Sequence, residues 1–365
     1  MRRREFLQAG TMLAAGAVLP RGAFASVPFA PKPDVWRTFQ ITTRVELAKS
    51  PAKAQAWLPL PAVNEPAWMK PLGNEWNTNA KSAVQKQDPQ YGAQMLHVEW
   101  GDGEPAPVAE VVSRFATRDR AVDLTKPDAA MTLSDAELKL YTAATELMPM
   151  DGVVKATADK ITAGATTDLD KAQRIYEWIV DNTFRNPKTR GCGVGDIKSM
   201  LVTGDLSGKC ADLNALYVGL ARAAGLPARD VYGIRVAPSK FGYKSLGVGS
   251  EVISKAQHCR AEVFLKGFGW VPVDPADVRK VVLEEPPGKL ALNDPKVLAA
   301  RRTLFGAWET NWLAYNFAHD VALPGSSGPK IGFFMYPQGE VGGERLDSLE
   351  PDAFKYTITA KELAA

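Results

Sequence analysis

The first third of the chain alternates apolar and polar side chains. Phe39, Ile41, Thr43, Val45 and Leu47 stand on one parity between Gln40, Thr42, Arg44 and Glu46, and residues 108–115 repeat the pattern. A period of two places one side of the chain in a core and the other in water, which predicts half-buried strands. Met95-Leu96-His97-Val98-Glu99-Trp100 is a third candidate strand, and prolines at 59, 61, 66 and 71 are expected to punctuate the connections. The pattern over 35–115 predicts a small β-sandwich-like domain.

The period changes near residue 134. Ser134-Asp135-Ala136-Glu137 has the form of a capping box ahead of Leu138, Tyr141 and Ala144, and Thr167-x-x-Asp170 precedes Ala172, Ile175, Tyr176, Ile179 and Val180 at helical spacing. Residues 117–133 are the expected linker. The predicted division is a leader at 1–25, a β-rich domain with linker at 26–130 and a mixed helical and stranded domain at 131–365. The extended-looking tail, 331–359, is expected to close that last domain.

Charge and composition narrow the class. Arg3-Arg4-Glu5-Phe6-Leu7, a short apolar run at 9–19 and Ala23-Phe24-Ala25 form the pattern of a twin-arginine export leader, predicting a periplasmic or secreted protein. Arg2, Arg3, Arg4 and Arg21 against Glu5 account for the whole formal charge of +3, so the remainder is neutral. No basic block interleaved with aromatics remains to suggest a nucleic-acid partner. No later apolar stretch is long enough to span a bilayer, so no stable membrane insertion is expected. An apolar content of 45% fits a globular chain, and three cysteines are too few for a disulfide scaffold.

Gly208-Lys209-Cys210-Ala211-Asp212 opens an apolar helix in which Leu213, Leu216, Tyr217, Leu220 and Ala224 form a stripe, with a stop at Gly225 and Pro227. Cys210 therefore stands at a helix N-terminus, where unpaired N–H groups and the macrodipole favour a thiolate. Further on, residues 261–265 and 270–273 flank Lys266-Gly267-Phe268-Gly269, a hairpin signal. His258 and Asp274 are equidistant from position 266, so they are expected to face each other across the hairpin, the carboxylate fixing the imidazole tautomer and the other ring nitrogen meeting the thiol. Cys192 and Cys259 are expected to be small buried residues or a disulfide. Zinc ligation by Cys192, Cys210, His258 and Cys259 lacks any C-x-x-C spacing. Neither a metal nor a cofactor is expected.

Four segments together carry a family resemblance: Gly-x-Cys-x-Asp entering a helix, Arg222-Ala223-Ala224-Gly225-Leu226-Pro227-Ala228-Arg229 at its end, His-x-x-x-Glu from His258 to Glu262, and Gly269-Trp270-Val271-Pro272-Val273-Asp274-Pro275. In order and spacing they resemble the transglutaminase-like superfamily over 172–277, and the β-rich segment is similar to the domain preceding this core in exported bacterial members. The resemblance implies an α+β fold, a papain-like transglutaminase core after a β-sandwich-like domain, with Cys210 as nucleophile, His258 as base and Asp274 as orienting carboxylate. It departs at Arg260, where many members carry an aromatic, and at Ala211, where crosslinking members have tryptophan.

Those residues predict a thiol enzyme acting on amide or ester bonds of a peptide or protein substrate in the periplasm, through a thioester, with hydrolysis ahead of amine transfer. The resemblance also implies a transition-state donor from the side of Arg185 and Asn186, both candidate cleft residues, and Arg229 is expected to pair structurally with a carboxylate. His319 and Asp320, behind Trp308, Trp312, Tyr315 and Phe317, are expected to be packing or cleft wall. The other reading is a non-catalytic periplasmic protein that holds a peptide or glycan in the same cleft. Substrate identity and oligomeric state are not encoded in any motif.

Overall fold

The computed structural model describes residues 28–49 and 51–364; the leader expected at 1–25 lies outside them. The alternating segment forms strand Arg37–Glu46, with Phe39, Ile41, Thr43 and Val45 buried as its period requires. It lies between Val108–Thr117 and Tyr356–Leu363, with Met69–Thr78 at the far edge. A second antiparallel sheet runs Glu344–Arg345, Gln338–Val341, Ala54–Leu60, Gln94–Trp100, Ser82–Gln87. Phe39, Ile41, Val111 and Phe115 of the first share one core with Ala56, Leu58, Leu96 and Val98 of the second, and the pair is a β-sandwich.

Two expectations are corrected here. The prolines do not all mark connections: Pro59 lies within Ala54–Leu60, and Pro71 within Met69–Thr78. Pro59 is tolerated because Gln338–Val341 pairs only with residues 54–57, leaving no ladder partner for its missing N–H. Pro71 sits on an edge strand at a bulge before Gly73, whose φ of +117° favours glycine. The tail does not simply close the helical domain either, since Gln338–Val341 and Tyr356–Leu363 complete the two sheets begun by the N-terminal residues. The linker is also tied down, with Arg120–Ala121 pairing to Ala307–Trp308.

The second part is a four-stranded antiparallel sheet, in the order Gly269–Val273, Gln257–Leu265, Ala228–Arg235, Trp312–Asn316, packed on helices. The capping box at Ser134 forms and starts helix Asp135–Tyr141, and Thr167 caps Asp168–Asn182 by accepting from the Asp170 N–H. Helix Cys210–Ala223 ends near the expected Gly225, whose φ is +85°. Its predicted apolar stripe understates its position, because every residue from Cys210 to Ala223 is buried. The small side chains on its other faces admit close neighbours; a Cβ on Gly219 would lie 2.1 Å from Ile197 Cδ1. The helix is thus the central post of the core, and the thiol at its start cannot drift.

The sandwich is clamped to this core by buried charge. Glu262, the acid of the His-x-x-x-Glu strand, accepts from Arg120 and from Arg229, and Arg229 also reaches Glu65 at 2.9 Å. Arg229 therefore pairs structurally, as expected, with its guanidinium over Trp270 and Phe317.

Candidate active site

Glycine and aspartate in Gly-x-Cys-x-Asp work together. Asp212 Oδ2 accepts the Lys209 N–H at 2.9 Å, and Oδ1 accepts the N–H groups of Val194 and Gly195 at 2.9 and 3.0 Å. One carboxylate thus caps the Cys210 helix and ties loop 191–195 to it. Gly208 is required because a Cβ there would come 2.5 Å from the Asp212 side chain, and at Gly193 the distance would be 1.8 Å. The Ala211 N–H donates to the Cys192 carbonyl at 2.9 Å, closing the same junction. Cys210, 4% exposed, opens onto a cleft of about 400 Å³ lined also by Gly191, Cys192 and His258. Of loop 191–195, Gly191 and Cys192 line this cleft.

His258 lies in strand Gln257–Leu265, and its Nε2 stands 2.8 Å from Asp274 Oδ2. The route to that contact differs from the expected one. Strand pairing runs from Leu265 with Gly269 to Ala261 with Val273, so the hairpin is centred on 267 and Asp274 falls past the last pair. By register it would oppose Arg260, one diagonal step from His258 on the same face. Gly269, φ +72°, belongs to the strand rather than to the turn, leaving a three-residue loop. Asp274 is instead the N-cap of helix Pro275–Glu284, where Oδ1 accepts from the Asp277 N–H at 3.0 Å and from Asn214 Nδ2 at 3.2 Å.

Sequence reasoning missed a second carboxylate. Asp277 Oδ2 lies 3.3 Å from the same His258 Nε2, and Arg235 donates to both Asp277 oxygens at 2.6 and 2.8 Å. The signal was present, since an N-cap aspartate points at the residue three positions on. Arg260, noted as a departure from the family, holds Asp274 from the other side, Nε to Oδ2 3.5 Å. Asn214, one turn along the Cys210 helix, also donates to the Cys259 carbonyl at 2.8 Å and so fixes helix to strand.

Electrostatics follow from this packing. Burial and the Arg235 charge disfavour an imidazolium at His258, but Asp277 and Asp274 outweigh them and push it up to about 9. Burial raises the Cys210 thiol, but the Cys192 and Cys259 thiols and the His258 cation hold it well below the ordinary range. Asp274 is raised by burial and by Asp277, while Asp277 is pulled down against burial by Arg235 and His258. With Nε2 taken by carboxylates, Nδ1 is the ring nitrogen left for the sulfur, and the two shifts both favour thiolate and imidazolium.

The structure brings all three cysteines together. Their sulfurs lie within 4.8 Å of one another, all buried and unbridged, with Cys192 Sγ 3.2 Å from the Gln257 carbonyl and Cys259 Sγ 3.8 Å from Met335 Sδ. Such a set could accept a soft metal ion. Asn186 turns inward to Ser207 Oγ at 3.1 Å, whereas Arg185 lines the cleft beside Glu284. His319 is packed away, Nδ1 3.2 Å from the Tyr232 hydroxyl and Nε2 3.4 Å from buried Asp230. His97 lies stacked on Trp57 in the sandwich.

Comparisons with known proteins bear on family and fold. The sequence profile of the transglutaminase-like superfamily matches residues 155–275, the stretch holding Cys210, His258 and Asp274. Residues 155–275 are thus a transglutaminase-like core. An uncharacterized protein of Haemophilus influenzae is 38% identical over 329 residues, covering 86% of this chain and 88% of that one. A candidate cysteine protease of Cytophaga hutchinsonii superposes over 91% of this chain and 92% of its own with a TM-score of 0.55 at 12% identity, a likeness of fold. The periplasmic domain of TgpA from Pseudomonas aeruginosa covers 65% of this chain and 94% of its own at 16% identity, with a TM-score of 0.33.

Proposed function

We propose that the protein is an exported cysteine enzyme that cleaves or transfers acyl groups at peptide-type amide or ester bonds, with hydrolysis the main outcome. Cys210 Sγ attacks the carbonyl carbon and forms the carbon–sulfur bond. The Cys210 N–H has no carbonyl four residues back within its helix, so it is available to the developing oxyanion. His258 gives its Nδ1 proton to the leaving nitrogen or oxygen as that bond breaks, then takes one from the water or amine that releases the thioester. Asp274 orients the ring through Nε2, and Asp277 adds charge on the same nitrogen.

The observation that carries the proposal is His258 held through Nε2 by Asp274 at 2.8 Å while facing a thiol at a helix N-terminus in an open cleft. Hydrolysis is favoured because Ala211 follows the nucleophile where crosslinking members carry tryptophan. Export by the leader at 1–25 belongs to the same proposal and supplies periplasmic peptides or proteins as substrates. The test is incubation of the protein with periplasmic extract and a labelled primary amine in heavy-oxygen water, read by mass spectrometry. Heavy oxygen in new carboxyl groups, absent with Cys210→Ala, is the expected result. Amine incorporation alone would make it a transferase, and ligand capture unaffected by Cys210→Ala would make it a binding protein.

A further inference from the structure

The cleft wall carries charge of one sign. Arg185, Lys209, Arg235, Lys255 and Lys280 line it together with His258, and among the described residues no aspartate or glutamate does. Three of these cations are answered from behind or outside. Arg235 is chelated by buried Asp277, Arg185 pairs with Glu284, and Lys255 reaches exposed Asp352 at 3.1 Å. Lys209 and Lys280 are different. Lys209 immediately precedes the nucleophile, is half-buried, and forms no ion pair among the described residues. Lys280 is 3.8 Å from Glu284, whose other oxygen is already taken by Arg185, so one carboxylate serves two cations.

Lys280 is largely buried and answered only in part by Glu284, a desolvation cost that an anion in the cleft would offset. Burial and the Arg235 charge lower Lys280 to about 8, and an anion in the cleft would raise it again. A neutral or basic peptide gains nothing from this wall, whereas a carboxylate offers acceptors to both ammonium groups. Walls of low dielectric focus that field toward Cys210.

We propose that the cleft selects acyl donors carrying a carboxylate beside the reacting carbonyl, with Lys209 and Lys280 as its receivers. The proposal rests on Cys210 being the nucleophile. The carboxylate comes either from an acidic side chain or from a free chain terminus, two sources of one chemistry.

The test compares alkylation of Cys210 by iodoacetate and by iodoacetamide, equal in reach but different in charge, in the full chain without its leader. Expected is a rate with iodoacetate at least equal to that with iodoacetamide, with the ratio falling at least about tenfold in Lys209→Met/Lys280→Met. In the wild type the ratio should also fall with rising salt, a readout that needs no variant. A faster reaction with iodoacetamide, unmoved by salt or by either lysine, would overturn the selectivity. A second arm is independent of nucleophile chemistry: equilibrium binding to Cys210→Ala of three fluorescent dipeptides, one with glutamate and an amidated end, one with neutral side chains and a free end, and one fully uncharged. Binding of either carboxylate-bearing dipeptide, lost in the lysine variants, supports the proposal and identifies the source; equal binding of the fully uncharged dipeptide contradicts it. Should neither reagent label Cys210, the nucleophile assignment fails, and this second arm still decides the selectivity.

Discussion

Asp277 and Asp274 share one nitrogen of His258: Oδ2 of each lies 3.3 and 2.8 Å from Nε2. Their roles differ, because Asp274 is fixed by Asn214 and its own N-cap bond, whereas Asp277 is chelated by Arg235. Asp274→Asn should lower turnover by roughly ten- to a thousandfold with the fold retained, as a thiolate–imidazolium pair survives without perfect orientation. Asp277→Asn leaves the buried Arg235 cation without its partner and should cost about 3–5 kcal/mol of stability. Urea denaturation beside steady-state rates separates the two. An equal loss of stability in both variants would show that Asp274 is structural.

The pH dependence has a defined sign. His258, pushed up to about 9 from an ordinary value near 6.5, binds a proton in the folded chain that the unfolded chain gives up earlier. The stability it contributes, on the order of 3 kcal/mol, is complete below about 6.5 and is lost as pH rises through about 9. Cys210, held below the ordinary thiol range, contributes in the opposite sense up to about 8.5, so the melting temperature should fall chiefly between about pH 8.5 and 9.5, and more steeply in the wild type than in His258→Gln. In parallel, Cys210 should react with iodoacetamide at pH 6 nearly as fast as at pH 8, whereas an ordinary thiol gains steeply over that range.

The glycine before the nucleophile is a steric requirement. A Gly208→Ala methyl group meets the Asp212 Cβ and carboxylate at 2.5 Å, so either the cap or the loop must yield. We expect a loss of about 1–3 kcal/mol together with a rise in the Cys210 thiol pKa, measured by the pH dependence of alkylation. A stable variant with an unchanged thiol profile would remove Asp212 from the account of the site.

Much of this site was legible because its chemistry is local. The capping boxes, the helix stop at Gly225 and the Cys210 helix are written within a few residues of themselves. The His258–Asp274 pair was legible although its derivation was one position off, since Gly269 can be counted with turn or strand until pairing settles it. What escaped was non-local. Nothing in strand Tyr356–Leu363 announces that it pairs with Arg37–Glu46 at the far end of the chain. Pro59 looked like a breaker because its harmlessness depends on where a neighbouring strand ends. Arg235 and Asp277, distant in sequence, become one buried ion pair only when strand Ala228–Arg235 meets helix Pro275–Glu284. Cys192, expected to be a small buried residue or half of a disulfide, meets both other sulfurs only through the packing of its loop on the Cys210 helix.

That convergence makes a prediction of its own. Three thiols within 4.8 Å, one of them a ready thiolate, suit a soft divalent ion. Cadmium at micromolar concentration should protect Cys210 from alkylation, a chelator should restore labelling, and Cys192→Ser should weaken protection by about tenfold or more. Protection independent of Cys192 and Cys259 would mean that the sulfurs do not act as one set.

The central claim is that Cys210 forms a covalent acyl intermediate under the control of His258. The direct measurement is intact mass and peptide mapping after acid quench of the protein mixed with a p-nitrophenyl ester carrying a carboxylate on its acyl chain. One acyl group per chain is expected, on Cys210 alone, appearing before steady-state release, much slower to form in His258→Ala and absent in Cys210→Ala. Acyl groups spread over Cys192 and Cys259, or ester turnover undiminished in Cys210→Ala, would contradict it.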